Sequence, residues 1–242
     1  PVADDETVSG TEDQFLDTTV TVLLDGDTDP DGDTLTVTGV TTVSGGTPVL
    51  NNNGTAEDPS DDFVRFTPTA DLCGTAAGSY EYTVSDELAT DTGTVTVDLT
   101  CVNDPPAGAD KTVTMRQDTV YAFDTADFPF TDPNDDPADN FEAVKITSLP
   151  VDGALLFDGT AVSAEDVVLV ANLGLLTFEP AAGESGKNYA SFTFQVRDGG
   201  GTENGGVDLD PTARTMTIDV TANTPPVADD ETVSGTEDQF LD

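Results

Sequence analysis

The chain has 242 residues, with 7 Lys and Arg against 48 Asp and Glu, which gives a formal net charge of −41. Like-charge repulsion excludes nucleic acids and anionic membrane surfaces as partners. No apolar run is long enough to cross a bilayer, so we expect no direct membrane insertion, and we expect any targeting signal to lie outside this stretch. Recurrent alternation of β-branched and aromatic residues argues against a disordered acidic chain.

An internal repeat organises the sequence. Residues 1–17 read PVADDETVSGTEDQFLD, and residues 226–242 read the same letters, at an offset of 226 − 1 = 225 residues. A fainter repeat relates VNDPPAGADKTV at 102–113 to TANTPPVADDETV at 221–233. Further matches keep the same order along the chain, as expected for a tandem array. The sequence therefore predicts two related modules, 1–103 and 104–225, followed by the start of the next copy at 226–242.

The predicted elements are short β-strands, because segments with period-two alternation recur between Gly, Pro, Asn and Asp. In the first module the predicted strands are 4–8, 19–24, 34–40, 47–50, 63–66, 79–85 and 92–100. In the second module they are 110–114, 119–123, 142–148, 154–157, 175–178, 190–197 and 213–221. A short helical turn is predicted at 163–170, with Ser163 as its cap and Asp166 three residues later. Seven strands in about 100 residues are typical of an immunoglobulin-like sandwich, so the predicted class is all-β.

The acidic loops allow two interpretations. Residues 29–33 read Asp-Pro-Asp-Gly-Asp, and residues 132–136 read Asp-Pro-Asn-Asp-Asp at the matching place in the second module. Such residues favour turns on conformational grounds alone, and a general acidic surface needs no specific site. Each loop, however, is matched by an aspartate at the end of the penultimate strand, Asp86 in one module and Asp198 in the other. The recurrence favours cation binding over a simple turn.

Strand alternation assigns each loop to one end of its module and brings oxygen donors together at the joint between the two modules. The predicted donors there are Glu12, Asp13, Asn103, Asp104, Asp132, Asn134, Asp136 and Asp198. Calcium takes six to eight oxygen ligands, so we expect calcium to occupy this joint. Clustered carboxylates without a cation would repel one another strongly.

Two further sets of donors are incomplete within this chain. Asp29, Asp31, Asp33 and Asp86 lack an upstream linker, and Asp118 and Asn223 would couple to a following copy. The joint after the second module is expected to bind cations more weakly than the joint between the modules. Gln117 stands there in place of Glu12, and Thr224 stands in place of Asp104.

The two cysteines, Cys73 and Cys101, both lie in the first module, and strand alternation places both at the same end of it. They form either a disulfide or two unpaired thiols, and the shared end favours the disulfide. Closing a loop of 101 − 73 = 28 residues would stabilise the fold by roughly 3–4 kcal/mol in the chain-entropy model. A disulfide would also indicate an oxidising compartment.

The order of these motifs resembles bacterial cadherin-like repeats. The resemblance rests on the Thr-Glu-Asp turn at 11–13, the loop at 29–33, the Val-Ser-Asp strand end at 84–86 and the Val-Asn-Asp-Pro-Pro linker at 102–106. The second module is also similar to chondroitin sulfate proteoglycan-type repeats, through ITSLPVDGAL at 146–155. The resemblance implies calcium at the linkers between modules and a role in extending a giant surface adhesin or matrix protein.

Catalysis is not expected from this sequence, because it has no histidine for acid–base work and no nucleophile elbow. The leading interpretation is a calcium-stiffened extender of an extracellular or cell-surface adhesin, whose partners are neighbouring copies in tandem. An alternative is the repeating subunit of an extracellular filament, sheath or surface layer, with lateral contacts between copies. A carbohydrate-binding module is a third interpretation, which the absence of tryptophan disfavours.

Overall fold

The structure is a computed structural model that describes residues 1–55, 58–224, 226, 228–232 and 234. The chain divides into two compact units. Unit 1 comprises Pro1–Ala107, Thr131–Glu142 and Arg197–Pro211, and unit 2 comprises Gly108–Phe130, Ala143–Val196 and the described residues from Thr212 onward. The predicted next copy at 226–242 lies largely outside the described residues.

The first half of the chain forms seven strands and one helical turn. These are β1 (Glu6–Thr11), β2 (Leu16–Thr19), α1 (Val20–Leu23), β3 (Thr36–Ser44), β4 (Gly46–Asn51), β5 (Phe63–Pro68), β6 (Gly74–Ser85) and β7 (Thr90–Thr100), with a 3₁₀ turn at Pro59–Asp61. One sheet has the order β1-β7-β6-β3 and the other the order β2-β5-β4. The pair β1–β7 is parallel, and the other pairs are antiparallel.

The second half forms more strands, most of them short, and more 3₁₀ turns. The strands are β8 (Ala107–Gly108), β9 (Lys111–Arg116), β10 (Tyr121–Ala122), β11 (Phe130–Thr131), β12 (Phe141–Ile146), β13 (Ala154–Phe157), β14 (Thr160–Ala161), β15 (Val167–Leu169), β16 (Leu176–Glu179), β17 (Gly186–Asp198) and β18 (Arg214–Thr221). The 3₁₀ turns are Thr125–Asp127, Val170–Leu175 and Glu203–Gly205. The main sheets have the orders β15-β12-β17-β18-β9 and β10-β16-β13-β14. The all-β prediction is confirmed.

Period-two alternation produces the core of each unit. In unit 1, Tyr80 and Tyr82 on β6 are fully buried, and the ring of Tyr80 stacks 5.8 Å from that of Phe66. In unit 2, Phe192 and Phe194 on β17 occupy the corresponding inward positions. Phe194 makes an edge-to-face contact with Phe128 at 5.0 Å between ring centroids. These aromatic side chains were expected in strand cores, so they are not available as a carbohydrate-binding platform.

Two predicted elements are wrong. Residues 19–24 do not form a strand throughout, because Val20–Leu23 is a helical turn. Val20 and Leu23 are both buried, and a strand would direct residues three apart to opposite faces. The predicted helical turn at 163–170 instead contains strand β15, with Val168 buried against β12.

Candidate metal centre

The turn after β1 fixes the first group of acidic side chains in unit 1. The backbone N–H of Glu12 donates to the carbonyl of Thr100 at 3.1 Å, which continues the β1–β7 pairing. The Glu12 carboxylate, only 4% exposed, accepts a hydrogen bond from the backbone N–H of Val102. The next residue, Asp13, accepts from the N–H of Asp71 at 3.1 Å. The turn therefore holds both the segment after β7 and the loop before β6.

Two triads of carboxylates result from this arrangement. Asp13, Asp71 and Asp104 form the first, and Asp132, Asp135 and Asp139 form the second. Within each triad, one oxygen from every residue lies within 4.8 Å of the others. The triads are linked directly, because the N–H of Asp104 donates to Oδ2 of Asp135 at 3.1 Å.

Asn103 and Asp198 add a second pair of oxygen donors in the same unit. The Nδ2 of Asn103 donates to Oδ1 of Asp198 at 3.1 Å and to the carbonyl of Val207 at 2.9 Å. Oδ1 of Asp198 also accepts from the N–H of Gly200 at 2.9 Å. Both hydrogen bonds fix the orientation of the Asn103 amide, so that Oδ1 is its remaining acceptor.

Four buried oxygens of this centre have no hydrogen-bond donor among the described residues. They are Oδ1 of Asn103, Oδ2 of Asp104, Oδ1 of Asp132 and Oδ2 of Asp198. Asp198 is 0% exposed and Asp132 is 8% exposed. Buried polar atoms without partners are costly, and a buried unpaired carboxylate is more so. Cations would satisfy all four oxygens, whereas protonation would satisfy only the three carboxylate oxygens.

The donor set indicates which cation fits. All of the donors are carboxylate or amide oxygens, which are the ligands of hard cations such as calcium. Zinc and copper sites rely on His nitrogen and Cys sulfur, and the sequence has no histidine. Glu12, Asn103, Asp135 and Asp139 line a hollow of about 430 Å³, which has room for hydrated divalent cations. The residues present therefore fit calcium.

The electrostatics of the centre also favour a positive charge. Burial, together with the charges of Asp71 and Asp13, raises the pKa of Asp104 to about 6. Burial and the charge of Asp132 raise the pKa of Asp135 to about 6, against the opposing hydrogen bond from the Asp104 N–H. The pKa of Asp198 is raised mainly by burial. Each of these carboxyl groups is easier to protonate than an isolated aspartate.

The structure brings together most, but not all, of the donors predicted for this joint. Asn134 and Asp136 line the hollow, but the second triad is built from Asp135 and Asp139 instead. Asp71 was not anticipated either. Its position two residues before Cys73 was the available signal, since a disulfide to Cys101 would bring it close to the linker.

Gly200 was also missed, and the site requires it to be glycine. A Cβ atom at this position would lie 1.7 Å from Oδ1 of Asn103 and 2.4 Å from Oδ2 of Asp139. Gly200→Ala is therefore expected to displace both donors and to lower the melting temperature by ~5 °C or more in calorimetry, as overpacking does. Gly199→Ala is the matched control, because its Cβ would meet only the Asn140 carbonyl at 3.8 Å. Equal effects of the two changes would contradict this account.

The aspartates predicted to lack an upstream linker form a third triad in unit 1. It contains Asp29, Asp33 and Asp86, but not Asp31.

The residues predicted for the weaker joint lie in unit 2 and form no carboxylate triad within the described part of the chain. Oδ1 of Asp118 accepts from the N–H of Gly183 at 2.7 Å. The N–H of Asn223 donates to Oε1 of Gln117 at 3.2 Å. The turn geometry of the first module is thus repeated with fewer acidic groups.

The predicted disulfide is confirmed. Cys73 and Cys101 are bonded, with their Cα atoms 5.0 Å apart. The bond joins the residue before β6 to the residue after β7, and both cysteines line the hollow described above.

Paired β-sheets with aromatic cores and Ig-type strand counts define this chain as a tandem immunoglobulin-like protein. The family model described as bacterial Ig domain matches it twice, at residues 1–98 and 103–210. The chain therefore belongs to the bacterial Ig domain family. Among the described residues, no helix combines the length and the apolar character that a bilayer crossing requires.

Comparison with individual proteins gives more distant similarities. The chain is 36% identical over 104 residues to an integrin beta-like protein E of Dictyostelium discoideum, a match that covers 42% of this chain and 5% of that protein. Human protocadherin-24 EC1-2 is similar at 12% identity, with 90% of this chain and 94% of that one covered and a TM-score of 0.45. An endo-fucoidan hydrolase of glycoside hydrolase family 107 is similar at 17% identity, with 92% and 28% covered and a TM-score of 0.33.

Proposed function

We propose that this chain is a non-catalytic, calcium-stiffened extender repeat of a large extracellular adhesin or matrix protein. The observation that carries the proposal is the set of four buried, unpartnered oxygens in the centre around Asn103 and Asp198. A general acidic surface would leave its carboxylates in water, where no specific cation is needed. Here Asp104, Asp132 and Asp198 each hold one carboxylate oxygen away from water.

Stiffening follows from where the donors lie in the chain. They come from five segments: the turn after β1, the loop before β6, the linker after β7, the loop at 132–139 and the end of β17. Cations bound across these segments would make the linker residues Asn103 and Asp104 part of a cross-linked network. Removal of the cation leaves mutually repelling carboxylates, and the linker then loses its restraint.

An extracellular location is part of the same proposal. The disulfide is stable in oxidising compartments, and calcium sites of modest affinity suit a calcium-rich exterior. The integrin beta-like name of the Dictyostelium relative supports an adhesive setting, although the chain spans only 5% of that protein. The partners that we propose are neighbouring copies in tandem, as the offset of 225 residues between identical segments implies.

Titration calorimetry with calcium tests the proposal. We expect saturable binding at micromolar to millimolar calcium and much weaker binding of magnesium, which demands a more rigid octahedral site. Fluorescence energy transfer between labels in the two predicted modules should show a narrower distance distribution with calcium than with a chelator. The proposal is wrong if calcium produces no heat and chelation leaves the melting temperature unchanged.

A further inference from the structure

The disulfide lies beside the first carboxylate triad and connects two of the three segments that carry it. Asp71 lies two residues before Cys73, and Asp104 lies three residues after Cys101. Oxygens of Asp13, Asp71 and Asp104 lie within 4.8 Å of one another. Like charges at this separation push the loop before β6 away from the linker after β7. The covalent bond between the two segments opposes that separation.

The second module provides an internal comparison. Oδ1 of Asp118 accepts from the N–H of Gly183, as Oδ1 of Asp13 accepts from the N–H of Asp71. Gly183 therefore occupies the position of Asp71, and the carboxylate is missing. The chain has only two cysteines, and both are in the first module. Where the triad is absent, the disulfide is absent too.

The same comparison shows that the turn does not need the disulfide for its own geometry. In the second module the backbone bond from Gln117 N–H to the Thr221 carbonyl is 2.9 Å long, and the bond from Gly183 N–H to Asp118 is 2.7 Å long. Both form without a covalent link between the segments. The disulfide thus accompanies the carboxylates rather than the turn.

We propose that the Cys73–Cys101 disulfide is a positioning element of the cation site, so that calcium affinity depends on its redox state. This inference rests on the proposed function. A thiolate of an external dithiol attacks one sulfur, for example that of the exposed Cys101, and the Cys73–Cys101 bond breaks. The second thiolate of the reductant then attacks the reductant's own sulfur in this mixed disulfide, and the Cys101 thiolate leaves. Two protein thiols and one oxidised reductant result, with two electrons and two protons transferred.

Calcium titrations of three samples test the inference: the oxidised chain, the chain reduced with dithiothreitol, and the Cys73→Ser/Cys101→Ser variant. Reduction and substitution should each raise the calcium Kd at least tenfold. Reoxidation should restore the affinity of the wild type only. Val97→Ala is the control, because it opens a cavity in the core of β7 and lowers stability while leaving the disulfide intact. Its calcium Kd should stay within twofold of the wild-type value.

The outcomes separate this inference from the proposed function. No calcium binding by the oxidised chain would defeat the proposed function and, with it, this inference. Calcium binding with the same Kd in the oxidised and reduced chains would leave the proposed function intact and overturn the inference.

If the double variant folds only with calcium, the calcium concentration at half-maximal folding replaces the Kd. The inference then requires that midpoint to lie at least tenfold above that of Val97→Ala brought to equal stability with denaturant. Equal midpoints would show that the disulfide acts on stability alone, and the inference would be wrong.

Discussion

Replacing Asp198 with asparagine should stabilise the calcium-free chain and remove most of the stabilisation that calcium provides. Asp198 is 0% exposed, and its Oδ2 has no donor among the described residues. Its pKa is raised by burial and by the nearby charges of Asp132 and Asp139, so its charged form is disfavoured in the absence of a cation. Asparagine keeps Oδ1 as an acceptor for Asn103 and Gly200 but carries no charge.

With calcium present, the same substitution should lower the stability of the folded chain instead of raising it. The wild-type chain gains RT ln(1 + [Ca]/Kd), which is about 2.7 kcal/mol at a calcium concentration one hundred times the Kd, or a rise of ~10 °C in the melting temperature. Loss of one charged ligand weakens calcium binding, so the variant should gain much less. Scanning calorimetry with excess calcium and with a chelator measures both values for each protein.

Asp158→Asn is the control for this comparison. Asp158 is an exposed turn residue with φ 47°, a conformation that asparagine tolerates, and it belongs to no carboxylate triad. It changes the net charge by the same amount, so it should leave the calcium response unchanged. If Asp198→Asn destabilised the calcium-free chain and kept the full response to calcium, Asp198 would be a structural residue and not a ligand.

The all-β class could be predicted from the sequence because the main evidence for it, alternation of apolar and polar residues, lies within single strands. Tyr80, Tyr82 and Val84 alternate with polar residues, and such a pattern has only one buried face in a strand. The pattern does not decide the structure of Val20–Leu23, because its run of β-branched and leucine residues is compatible with either a strand or a helical turn. There the tertiary requirement to bury both Val20 and Leu23 selects a helical turn over a strand.

The site residues were predictable only where the position of a loop at one or the other end of a module is enough to bring them together. Strand alternation is enough to bring Glu12, Asn103 and Asp198 to the predicted joint between the modules. Asp71 reaches the site through the disulfide and a hydrogen bond to Asp13, and Gly200 matters because two side chains approach its backbone. Those contacts depend on the three-dimensional paths of loops, about which residue types and spacing carry little information.

A second, partly buried group of acceptors surrounds the hydroxyl of Tyr82 in unit 1. This hydroxyl lies 2.9 Å from Oδ1 of Asp27, 3.1 Å from the carbonyl of Asp4 and 3.3 Å from Oε1 of Glu6. A single hydroxyl proton can serve only one of these acceptors well. The Oε2 of Glu6 has no donor among the described residues. Protonation of Glu6 would relieve this shortage.

The direction of the resulting pH dependence follows from the raised pKa of Glu6. Burial, followed by the charge of Asp27, raises that pKa from 4.5 to about 7. The folded chain therefore holds a proton that the unfolded chain releases between about pH 4.5 and 7, and stability falls as pH rises through this window. If the whole pKa shift of Glu6 were converted to free energy, the free energy of unfolding would fall by ~3.4 kcal/mol across this window. Glu6 is partly exposed, and solvent screening reduces the expected loss to about 1–2 kcal/mol.

Glu6→Gln should remove this part of the pH dependence. The amide is neutral at every pH, so the variant should be more stable than the wild type at pH 8 and about equally stable at pH 5. Denaturant unfolding in a chelator across pH 5–8 measures the difference. Subtracting the two curves cancels the titrations of Asp104 and Asp135, which the proteins share.

Glu81→Gln is the control variant, at an exposed position on β6. It should follow the wild-type curve, since Glu81 has no part in the group around Tyr82. If the stability of Glu6→Gln instead depended on pH in the same way as that of the wild type from pH 5 to 8, Glu6 would have to be ionised in the folded chain at pH 5. The Tyr82 hydroxyl would then be shared between two carboxylates that are both charged.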